Sequence, residues 1–135
     1  MTRAILIARL VLGLWMLANG TNHFFVSMWA EPMGQEPLAM QLMAAFVHSG
    51  LIDVAYAIEL ACGALLLVGV WVPAALCVLM PVSTCALYWA AVLEHQAAPA
   101  LLALTAFALN GLLMLATLDA YRGALQRRAL ALGEA

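Results

Sequence analysis

The stretch LIDVAYAIELACGALLLVGVW, residues 51–71, holds Glu59 deep inside an otherwise apolar run. As a helix rising ~1.5 Å per residue, it is ~30 Å long, one hydrocarbon thickness, and Glu59 falls roughly 12 Å below its start. Lipid offers the backbone no hydrogen-bonding partner, so a run of this length crosses as a helix. An ionisable side chain at that depth costs several kcal/mol unless it is neutralised or paired, and such residues mark functional sites.

The rest of the chain agrees with a membrane setting. Of its 135 residues 67% are hydrophobic, and mean hydropathy is +1.04, more apolar surface than a water-soluble domain of this size can hide. The charged residues are five Arg and seven acids, with no Lys and a net charge of −2, so there is no basic patch for nucleic acid. Cys62, Cys77 and Cys85 all fall in apolar runs without a Cys-x-x-Cys, which argues against a disulfide framework or thiol-redox pair. No dinucleotide-binding glycine motif or cysteine ligand set points to flavin, haem or an iron–sulfur cluster.

Four runs reach membrane-spanning length, at 4–25, 51–71, 72–93 and 97–118. The expected fold is all-α, a single integral membrane four-helix bundle over residues 1–135, with the lipid bilayer as its surroundings. Trp71-Val72-Pro73 is the expected turn between the second and third runs. The 26–50 connection contains Glu31-Pro32-Met33-Gly34, a turn, then Glu36-Pro37, which suits a helix start, so a surface helix is expected over Leu38 to Val47. Arg9 interrupts the first apolar run, which is therefore expected to be a retained anchor and not a cleaved signal. Arg3 and Arg9 flank the start of the first helix, and Arg122, Arg127 and Arg128 follow the fourth. By the positive-inside rule both termini are expected in the cytoplasm of a bacterial cytoplasmic membrane, with the 26–50 connection and Glu94-His95 outside.

In that orientation His23, His48, Asp53, Glu94 and His95 gather at the outer end. Trp15, Asn19, Asn22 and His23 follow i, i+3, i+4 spacing and share one face of the first helix; Tyr56, Glu59, Cys62 and Gly63 share one on the second. Asp53, roughly 120° around the helix from Glu59, is expected to meet loops or headgroups. On the third helix Cys77, Pro81, Thr84, Cys85 and Tyr88 form a stripe that is expected to face the bundle, with Pro81 permitting a kink. Glu59 and His23 are the candidate catalytic pair, and Trp15, Asn19, Asn22, Tyr56, Thr84 and Tyr88 the candidate ligand-binding residues. Each has a structural reading as well: Glu59 as a protonated acid tying helices together, His23 as an interfacial side chain, the tryptophans as a membrane belt. His23, His48, Glu94 and His95 are the candidates for a metal, although no His-x-x-x-His spacing supports one.

The chain resembles the DoxX family in Arg9-Leu10-Val11-Leu12-Gly13, in Asn19-Gly20-Thr21-Asn22-His23-Phe24, in a loop ending His48-Ser49-Gly50, and in Ile58-Glu59-Leu60 with Gly63 and Gly69. The pattern covers about three helices, and the fourth carries little signature. The resemblance implies a small four-helix membrane protein; the founding type is a subunit of a thiosulfate:quinone oxidoreductase, and His23 and Glu59 match the family's polar positions. The expected function is a membrane component of an oxidoreductase or electron-transfer system that binds a quinone or similar lipophilic ligand in the outer half of the bundle. The alternatives are a non-catalytic scaffold docking a membrane or periplasmic protein or a second copy, and a cofactor-free acid–base enzyme on a lipophilic substrate.

Overall fold

The computed structural model describes residues 2–30 and 33–122, and the regular elements among them are all helical. Helix α1 is Arg3–Thr21, α2 Pro37–Ser49, α3 Leu51–Val68, α4 Val72–Tyr88 and α5 Ala97–Ala116. Two of them widen at their ends into a π-helical turn, Asn22–Val26 after α1 and Trp89–Leu93 after α4, closed by Ser27 N–H on Asn22 O (2.8 Å) and Glu94 N–H on Trp89 O (2.9 Å). With those turns included, Arg3–Val26, Leu51–Val68, Val72–Leu93 and Ala97–Ala116 are long and apolar enough to cross a membrane. The protein is an all-α membrane bundle of four spans, with α2 as an additional short helix.

The turn between α3 and α4 falls earlier than the sequence suggests. Helix α3 stops at Val68 because Gly69, at φ 82°, adopts the left-handed conformation that costs a glycine little. The N–H groups of Gly69 and Val70 both return to Leu65 O. Pro73 lies in the first turn of α4, where its missing N–H breaks no helical bond. Proline therefore starts the next helix here, and glycine ends the previous one.

Helices α1 and α3 pack most closely, and small residues make this possible. A Cβ on Gly63 would lie 2.6 Å from Leu17 N and 2.9 Å from Gly13 O; one on Gly20 would lie 2.7 Å from Leu60 Cβ and 2.8 Å from Tyr56 O. Among lipid tails there is little hydrophobic gain from helix association, so such close van der Waals contact supplies much of the cohesion. Leu12, Met16, Cys62, Leu66, Ala75, Leu76, Leu79 and Leu113 fill the centre, each at most 5% exposed. Asn110 of α5, 0% exposed, braces α4 beside Pro81: with its amide oriented to satisfy both groups, it donates to Leu76 O and accepts from Met80 N–H, each at 3.3 Å.

The two ends of the bundle differ. At the hairpin end Arg9 lays its guanidinium against Gly69, beside the carbonyl-rich terminus of α3, and Tyr121 donates to Pro73 O (2.8 Å). Arg3 and Arg122 belong to this end as well. His23, His48, Asp53, Glu94 and His95 are at the opposite, loop end. Helix α2 forms where a surface helix is expected and is pinned to that end: Ala39 is fully buried, and Trp89 donates from Nε1 to its carbonyl at 3.2 Å. Trp89 is thus a core residue, unlike Trp71, which is 76% exposed. Glu31 and Pro32 of the expected turn, and Arg127 and Arg128, lie outside the described residues.

Candidate functional site

Four of the expected site residues meet where α1 crosses α3. Glu59, on α3, is 9% exposed, and its Oε2 has no hydrogen-bond partner. Asn19 of α1 and His23 are the polar neighbours of the carboxyl. His23 stands in the π turn at the end of α1. Its ring stacks on Tyr56, with centroids 4.3 Å apart and planes 17° from parallel, and Phe24 meets the ring edge-on at 4.7 Å.

The structure adds Asp53, which the sequence alone places against loops or headgroups. Its Oδ1 is 2.8 Å from His23 Nε2. The 120° angular separation from Glu59 holds for an isolated helix. Asp53, Tyr56 and Glu59 are spaced i, i+3, i+6 along one oblique ridge, however, and a helix crossing along such a ridge touches all three. The wider π turn also reorients His23 relative to the rest of α1. The result is a graded line running inward: Asp53, with its side chain 61% exposed, His23 at 14%, and the buried Glu59.

The remaining candidates are elsewhere. Asn22 is 4% exposed and committed to the loop, accepting from Met28 N–H (2.7 Å) and Trp29 N–H (3.2 Å) while donating to Trp29 O (3.0 Å). Trp15 is 42% exposed. The α4 stripe of Cys77, Pro81, Thr84, Cys85 and Tyr88 faces outward, not into the bundle as the sequence suggests; the inward stripe is Ala75, Leu76, Leu79 and Ser83. Polarity misleads here because Thr84 satisfies its hydroxyl on its own helix, donating to Met80 O at 2.8 Å, and so tolerates lipid. Thr84 and Tyr88 line an apolar groove of about 690 Å³ between α4 and α5, with Leu87, Leu101, Leu104 and Phe107. Ser83, buried with its Oγ unpartnered, was missed, although it continues the spacing of Leu76 and Leu79.

The metal candidates do not converge: among the described residues no three His, Cys, Asp or Glu side chains are grouped to hold an ion. His48 Nδ1 bonds Ala44 O at 2.8 Å within its own helix, and His95 occupies a left-handed turn position at φ 54°. Glu94, 5% exposed, accepts Gln35 N–H on both oxygens (2.9 and 2.8 Å) and Glu36 N–H at 3.4 Å. Its carboxylate thereby caps the N-terminus of α2, where Glu36 makes no cap of its own.

The α1–α3 arrangement offers an amide, an imidazole and a buried carboxyl to one polar group, beside apolar helix surface. A family model described as DoxX matches residues 4–92, which covers α1 through α4 and leaves out α5. Comparisons with curated proteins and with solved structures gave no match.

Proposed function

The chain belongs to the DoxX family of membrane proteins, and on that premise we propose that it serves an oxidoreductase or electron-transfer system by binding a quinone or similar lipophilic ligand between α1 and α3. The observation that carries this reading is the Glu59 carboxyl, buried with an unpartnered oxygen beside Asn19 and His23. A buried polar atom without a partner is uncommon in a folded protein, and a polar ligand headgroup would satisfy it. Quinone reduction takes up two electrons and two protons. In this reading Asn19 and His23 donate hydrogen bonds to the carbonyl oxygens, Glu59 holds or gives up a proton, and Tyr56 fixes the imidazole plane. Electrons come from a partner protein. The cytoplasmic placement of both termini belongs to the same proposal, which puts the loop end outside.

The test is binding of a short-tailed benzoquinone to the protein in lipid nanodiscs, followed by tryptophan quenching, alongside mass spectrometry of gently purified protein for a retained quinone. His23→Ala and Glu59→Gln should each weaken binding by ~10-fold, about 1.4 kcal/mol. The double variant should lose less than the sum of the two, because both act on one ligand. Unchanged binding in both single variants overturns the reading. Strict additivity would mean that the residues serve separate purposes, and copurification of a partner with Glu59→Gln would then favour the scaffold.

A further inference from the structure

Among the described residues, the polar groups beside Glu59 lie toward the loop end. Toward the hairpin end the next turns are Cys62 and Leu66, packed on Leu12, Met16, Leu76 and Leu79, and the contact of Gly63 with the backbone of Leu17 closes the seam between α1 and α3. Among the described residues, no carboxyl or imidazole interrupts that packing. Toward the loop end the sequence of groups is different: His23 stacks on Tyr56, which stands one turn before Glu59 on α3, Asp53 holds His23 Nε2 at 2.8 Å, and the Asp53 side chain is 61% exposed. The stacked Tyr56 ring holds the imidazole in its plane. Of the other loop-end groups, Glu94 is engaged on the Gln35 and Glu36 amides just before α2, His48 on Ala44 O, and His95 occupies the left-handed turn position.

We infer that protons enter and leave the buried Glu59 carboxyl from the loop end through Asp53 and His23. On the inward step, solvent gives a proton to the Asp53–His23 pair, the imidazole releases one to the Glu59 carboxylate, and Asp53 and His23 return to their starting states. The net change is one carboxylate and one hydronium converted to one carboxylic acid and one water; no electron moves. Asp53 is a positioning and proton-exchange residue and does not touch the ligand.

The inference rests on the reading of Glu59 as the proton-carrying group of the site, but its test uses no quinone, so the two can fail separately. In nanodiscs, at a pH acidic enough for the Glu59 carbonyl stretch to be present (the band that Glu59→Gln removes), rapid mixing into D2O shifts that band as its proton exchanges. Wild-type protein should exchange fastest. Asp53→Asn, isosteric and uncharged, should slow the shift by at least ~10-fold, as loss of a proton-transfer group does. His23→Phe, which retains an aromatic ring against Tyr56, should slow it comparably, and the pair of changes together no further. Asp53→Glu should restore the rate. Exchange at the wild-type rate in Asp53→Asn or His23→Phe overturns the route, and so does failure of Asp53→Glu to restore a slowed rate.

Discussion

Gly20→Ala tests whether backbone contact between α1 and α3 sets the site. The added methyl would lie 2.7 Å from Leu60 Cβ, 2.8 Å from Tyr56 O and 2.9 Å from Leu60 Cα. None of these is the free end of a flexible side chain. Ordinary contact begins at 3.4 Å, so the helices must part by roughly 0.7 Å at a level between Tyr56 and Leu60. Overpacking of this kind costs about 3 kcal/mol at the upper end of its range, and the helix preference of alanine over glycine returns about 1. The expected net loss is about 2 kcal/mol, a ~30-fold shift in the folding equilibrium. Gly111→Ala is the matched control, because its Cβ meets only Met80 Cε at 4.0 Å and should be neutral or stabilising. Unfolding in mixed micelles of dodecyl maltoside and SDS compares the two, and benzoquinone binding should fall in Gly20→Ala with every polar side chain intact. If Gly20→Ala unfolds no more readily than Gly111→Ala, close α1–α3 contact does not hold the bundle.

Asn110→Ala removes the side-chain bonds to Leu76 O and Met80 N–H beside Pro81, and the same unfolding assay should show a loss of about 2 kcal/mol, two hydrogen bonds at ~1 kcal/mol each. Glu94→Ala removes charge-assisted bonds to Gln35 and Glu36, so amide hydrogen exchange at these two positions should speed up, with Glu94→Gln intermediate and the spans unaffected. In a cysteine-free background, Gln35→Cys should react with an impermeant maleimide from outside the cell and Ala131→Cys should not; the reverse pattern would invert the proposed orientation.

Hydrophobic run length determined the number of spans, because lipid penalises every unpaired backbone group and leaves a long apolar run no other form. Glu59 was legible for the same reason: a carboxyl within that run stands out whatever surrounds it. Small polar side chains were less legible. Thr84 and Ser83 are neighbours in sequence, and only packing shows that the serine faces the bundle while the threonine, bonded to its own helix, faces outward. Spacing along a single helix also lacks the angle at which another helix crosses it. The 53–56–59 ridge and the π turn under His23 therefore brought Asp53 into a line of groups that an isolated helix would have kept apart. Glu94 shows the same limit from the other direction: its commitment to the Gln35 and Glu36 amides appears only once the chain has folded a loop from far away in sequence against the end of α4. Local chemistry and run length settle which segments enter the membrane. Which side chains meet there depends on crossing geometry and backbone approach, and these arise only when helices pack.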